Sequence, residues 1–139
     1  MIDFIIFDTS VLVDDLRTGC HQERMAAVAG LVRTSAVVLA ELWRGARKPA
    51  EREFLRALQR NHPVLYPTAG NWLESGQLLG KIGIEKGLIR EKLRDLHFDV
   101  LIALTARSYG ARLITSNRAD LEMIRSYCKF KLEIWAAGP

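Results

Sequence analysis

Two cysteines in 139 residues, Cys20 and Cys128, are too few for a disulfide framework and lack metal-ligand spacing, which leaves two reduced thiols. No set of histidines and cysteines has the spacing of a zinc site. Long apolar runs are missing as well: the stretch from Met25 to Val32 stops at Arg33, well short of a bilayer span. The chain opens Met1-Ile2-Asp3-Phe4, with an acid where a secretory signal carries positive charge. The expectation is a soluble, cytoplasmic protein without a membrane segment. A Gly-rich phosphate loop of the dinucleotide or P-loop kind is absent. Asp8-Thr9-Ser10 has no second acid of the sort a phosphatase aspartate pair requires. Internal repeats, linkers and low-complexity tracts are absent too, so residues 1–139 are expected to form a single domain.

What is present is ordinary for a globular protein: 49% hydrophobic and 26% charged residues, with a net charge of +4. A chain of this length buries roughly two-thirds of its unfolded surface. The mild basic excess favours an anionic partner without naming one. Ile2 to Phe7 is a short β-branched and aromatic run with little alternation, the mark of a strand buried on both faces. Asp8-Thr9-Ser10 then favours a turn or a helix cap. Helices are expected over 22–29, 36–46, 50–60, 71–86, 98–109 and 119–127, and further strands over 31–33, 63–66, 112–115 and 131–135. Strands alternating with helices imply parallel pairing and a three-layer α/β/α sandwich around a mainly parallel sheet. In such sheets ligands bind beyond the carboxyl ends of the strands.

Four acids from separate segments converge on that edge. Asp8 closes the first strand, Glu41 lies in the helix after the second, Asp99 opens the buried helix over 98–109, and Asp120 follows Thr115-Ser116-Asn117. Each has an alternative. Asp8 can cap the next segment, Asp99 can be a first-turn acid favoured by the helix dipole, and Asn117 with Asp120 resembles a capping pair. Glu41 sits amid Val37, Val38, Ala40 and Leu42, where an acid needs a buried partner unless the helix is phased outward. Four crowded carboxylates repel, so they must take up protons or bind a cation. Hard oxygen ligands suit Mg²⁺ or Mn²⁺, which commonly engage phosphates.

The ordered motifs resemble those of the PIN-domain family and, within it, the VapC toxins of bacterial toxin–antitoxin pairs. Phe7-Asp8-Thr9-Ser10-Val11-Leu12 is similar to the family's opening strand and first acid. Residues 34–42, from Thr34 to Leu42, resemble the motif that carries its glutamate. Residues 99–106, followed by Gly110, resemble the third motif, and Leu113-Ile114-Thr115-Ser116-Asn117 with Asp120 the fourth. Leu121 stands where the family more often has an aromatic. The resemblance implies that Asp8 and Asp99 are the principal metal ligands. It implies further that Glu41 completes the site and that Asp120 acts directly or through water. Thr9, Thr115 and Asn117 would support the carboxylates or contact a phosphate. It also implies a Mg²⁺-dependent (or Mn²⁺-dependent) endoribonuclease acting on RNA, an antitoxin partner and a homodimer.

Arg17 and Arg118 are close in sequence to the acids and are candidates for substrate contact. Arg44, Lys48, Arg52, Arg56 and Arg60 recur every four residues, but Pro49 is expected to split that stripe. Trp43 and Trp72 are candidates for a partner groove, but aromatics at helical spacing are more often core, and the core is the expectation. Two alternatives remain at this stage: a PIN nuclease of RNA processing without a toxin role, and a non-catalytic receiver-like module. Asp14-Asp15 evoke the latter, although no lysine ends a late strand as a receiver requires.

Overall fold

The computed structural model describes residues 2–137. Elements follow in the order β1 (Phe4–Phe7), α1 (Thr9–Thr18), α2 (Gln22–Ala27), β2 (Leu31–Ser35), α3 (Ala36–Gly45), α4 (Pro49–Asn61), β3 (Val64–Leu65), α5 (Ala69–Lys86), α6 (Arg90–Ser108), β4 (Arg112–Thr115), α7 (Arg118–Arg125) and β5 (Lys131–Ile134). The five strands form one sheet in the order β3-β2-β1-β4-β5, and every neighbouring pair is parallel. Helices flank the sheet, giving the expected three-layer α/β fold.

Burial explains the composition of the central strands. Ile5 and Ile6 of β1 and Leu113 and Ile114 of β4 are fully buried, as befits strands covered on both faces. Helix α6 is buried on most sides between Val100 and Ala106, which is why that stretch is apolar without a polar stripe. Gly30 immediately precedes β2 at φ 142°. A Cβ there would lie 2.8 Å from the Asp3 carbonyl oxygen, so only glycine lets β2 begin this close to β1. Among the described residues no helix is long and apolar enough to cross a membrane.

Several expectations change. Residues 9–18 form a helix where only a turn or cap was anticipated, because Asp14, Asp15 and Arg17 mask the apolar positions Val11 and Leu12. Helix α6 begins at Arg90, not Phe98, so Asp99 lies in mid-helix and is not a first-turn acid. The extra turns are rich in charge; Leu93 and Leu96 pack against the core, His97 Nε2 lies 3.0 Å from the buried Ser75 Oγ, and Lys92 bonds Asp120. Helices α3 and α4 are separate. Trp43 Nε1 donates to Gln59 Oε1 at 2.8 Å, whereas residues sixteen apart on one straight helix would be about 24 Å apart. The basic stripe is therefore split as expected. Trp43 packs against the core, but Trp72 is 52% exposed, contrary to expectation.

Candidate active site

Parallel pairing puts the carboxyl ends of β1, β2 and β4 on one edge, and the chain's chemistry gathers there. Asp8 follows β1 directly and is 3% exposed. Its backbone carbonyl accepts from Val11 and Leu12, opening α1, but its side chain makes no capping bond. Instead Oδ2 accepts from Thr115 Oγ1 at 2.7 Å and Ser10 Oγ at 2.9 Å. Oδ1 accepts no hydrogen bond from the described residues. The capping alternative for Asp8 thus fails: two hydroxyls aim the carboxylate and leave one oxygen available.

Ser35, at the end of β2, accepts from the backbone N–H groups of Val37 and Val38 and so fixes the start of α3. One and a half turns on, Glu41 is half-buried and takes a 2.8 Å hydrogen bond from Thr9 Oγ1. Burial pushes the Glu41 carboxyl up, Asp8 adds to this, and the Thr9 hydroxyl and Arg44 oppose it. An acid on an otherwise apolar helix therefore has its partner on α1.

Asp99 projects from α6, half-buried, and takes no hydrogen bond from the described residues. Burial, reinforced by the charges of Asp8, Glu41 and Asp120, pushes its carboxyl up to about 8, and only the Lys92 ammonium works against the rise. Asp120 lies in the first turn of α7. Asn117, the N-cap of that helix, donates from Nδ2 to Asp120 Oδ2 at 3.2 Å and accepts from the Asp120 N–H at 3.4 Å. Asp120 is thus both half of a capping pair and a neighbour of Asp99. Thr115 is fully buried, and its Oγ1 also accepts from the Asn117 N–H at 3.0 Å.

Arg17 is exposed at the end of α1. It shares a cleft of about 210 Å³ with Thr9, Glu41, Leu42 and Leu55. Arg118 is exposed on α7, where Glu122 engages its guanidinium at 2.8 Å. Sequence reasoning missed two participants. Ser10 was read only as a turn residue, although a hydroxyl two positions after an acid is a recurrent local partner. Lys92 binds Asp120 with its Nζ 3.2 Å from Oδ1. Its signal, a lysine seven residues before Asp99, is visible only once the helix is extended back to Arg90.

Among the described residues no three acids are drawn close enough to form a ready-made metal cage. The cluster is an open one, in which an ion would keep several waters, as Mg²⁺ usually does.

The model of the PIN domain matches residues 5–125. The chain belongs to the PIN domain family. Curated proteins give no match to it. Among solved structures, this PIN domain is similar to VapBC2 from Rickettsia felis bound to a DNA fragment from its promoter, with a TM-score of 0.70 and 23% identity over 95% of this chain and 98% of that one. It is also similar to DNA-bound VapBC from Salmonella typhimurium, with a TM-score of 0.69 and 22% identity over 98% and 100% of the two chains. VapBC-1 from nontypeable Haemophilus influenzae gives a TM-score of 0.71 and 21% identity over 95% and 98%. At these identities the likeness is one of fold. Family membership removes the receiver-like alternative.

Proposed function

We propose that this PIN domain, working as a single unit over residues 1–139, is a cytoplasmic, metal-dependent endoribonuclease, the VapC-type toxin of a toxin–antitoxin pair. One observation carries the reading. A half-buried carboxylate, Asp99, faces three other acids with no hydrogen-bond donor among the described residues, and such a site lowers its energy by taking up a divalent cation. Asp8, with one oxygen free, and Asp99 would hold the ion, while Glu41 and Asp120 complete the acidic wall. The donor set is all oxygen, which suits Mg²⁺ or Mn²⁺ over zinc.

A divalent ion bound there polarises a phosphodiester, lowers the pKa of bound water and steadies the leaving oxygen. The protein's own contribution is positional. Thr115 and Ser10 orient Asp8, Thr9 orients Glu41, and Asn117 ties Asp120 to Thr115. Arg17 stands at the cleft beside Glu41, placed to meet a phosphate of an RNA strand.

The toxin role rests on resemblance and on the neighbours. The similar folds come from VapBC assemblies, and VapBC-5 of Mycobacterium tuberculosis, with a TM-score of 0.55, is described as a member of a toxin–antitoxin family. An antitoxin that blocks the site and a homodimer belong to the same reading.

The test is direct. Purified protein should cleave RNA with Mg²⁺ or Mn²⁺ and stop in EDTA. Asp8→Asn and Asp99→Asn should each lose at least a hundredfold in rate while keeping a native circular dichroism spectrum, since each removes charge from the ion. Cleavage by both variants at the wild-type rate would remove the acids from the mechanism.

A further inference from the structure

Helix α6 begins Arg90-Glu91-Lys92, which places Lys92 in its first turn. A helix N-terminus carries partial positive charge, so a lysine there is electrostatically misplaced unless a nearby anion holds it. That anion is Asp120, whose Oδ1 and Oδ2 lie 3.2 and 3.3 Å from Lys92 Nζ. Asn117 Nδ2 donates to Oδ2 as well. Both oxygens of Asp120 are therefore engaged, whereas Asp8 keeps one oxygen and Asp99 both oxygens free of hydrogen bonds from the described residues. Lys92 is also the positive charge that acts on Asp99, two helical turns away on the same helix. An ion placed on Asp120 would have to compete with an ammonium already 3.2 Å from its Oδ1.

We propose that Lys92 is a resident cation of the acidic site, a positioning residue that withdraws Asp120 from metal coordination and limits the site to one divalent ion, held through Asp8 and Asp99. The proposal rests on the metallonuclease reading above and says what that reading leaves open: the ion count and the part played by Asp120. In nucleases with two ions, the pair flanks the attacking and leaving oxygens about 3.5–4 Å apart. Here the Lys92–Asp120 pair occupies one flank of the cluster, and Asp120 reaches the single ion only through water.

Isothermal titration of Mn²⁺ into the EDTA-stripped, dialysed protein tests this without reference to catalysis. The wild type and Lys92→Arg are expected to bind one ion. Lys92→Met, which frees Asp120, is expected to bind two, and Lys92→Met/Asp120→Asn one again. Lys92→Gln replaces Lys92→Met if the latter does not fold. An ion pair that only ties α6 to α7 would shift the melting temperature of Lys92→Met and leave its count at one, which would overturn the proposal. Two ions on the wild type would overturn it equally. No Mn²⁺ on the wild type would overturn the metal reading of the whole site, a failure distinct from an unchanged count between wild type and variant.

Discussion

Asp99 holds its proton in the folded protein up to about pH 8, against an ordinary value of 3.8, because burial and three neighbouring acids disfavour its charge. Between those two values the folded state binds a proton that the unfolded chain has released. Stability of the metal-free protein must then fall as pH rises through that window, the reverse of the behaviour of a salt-bridged carboxylate. Each unit of displacement is worth ~1.4 kcal/mol, so the loss amounts to a few kcal/mol. Urea unfolding in EDTA at pH 5 and pH 8 should show the wild type weaker at pH 8. Asp99→Asn should show a much smaller difference and be the more stable of the two at pH 8. Parallel curves for the two proteins would mean that Asp99 is well solvated. Asp8 is bonded otherwise: Thr115 and Ser10 supply its carboxylate with two donors. The two acids that anchor the proposed site thus reach it by different physics: one is held by hydroxyls, the other is left unpaired.

At the scale of elements, the placement of Glu41 depends on the start of α3. Ser35 is fully buried and accepts from two backbone N–H groups that have no other acceptor in the helix. Ser35→Ala should therefore cost about 1–2 kcal/mol, read as a lower urea midpoint with an unchanged slope. An unmoved midpoint would show that neighbouring groups take over the cap. That cap was legible in the sequence as Thr34-Ser35 before an apolar helix, and so was Asp8 as the acid ending a buried strand. Less legible were the elements whose apolar positions are sparse. Helix α1 buries only Val11 and Leu12 among polar neighbours, so no periodic stripe announced it. The first turns of α6 are charged and carry no clear apolar stripe, which makes Asp99 look like a helix-start acid and hides Lys92. In both cases the helix is held by tertiary packing, which a periodicity argument does not see.

For the whole molecule, the strand order determines where the chemistry can sit. The chain leaves β1 for β2 on one side and later returns past it to β4 on the other, so the sheet's switch point lies at the carboxyl end of β1, where Asp8 and Thr115 meet. The same arrangement exposes an apolar face beside the site. Tyr66, Trp72 and Leu73 are 62%, 52% and 73% exposed, and Tyr66 and Trp72 line a shallow groove with Ala40 and Phe98, the residues immediately before Glu41 and Asp99. A contiguous apolar patch left in water beside the proposed site is a candidate interaction surface. Under the proposed homodimer, light scattering on a sizing column should give twice the chain mass at micromolar concentration. If this groove is the dimer's interface, Trp72→Glu should give the single-chain mass with little change in far-ultraviolet dichroism, since the side chain is already half in water. A wild type that stays monomeric at 100 μM would remove the homodimer from the proposed function and leave the acidic site untouched. If Trp72→Glu is monomeric yet cleaves RNA at the full rate per chain, the groove serves assembly alone. If cleavage falls with dimerisation, activity depends on the assembled pair.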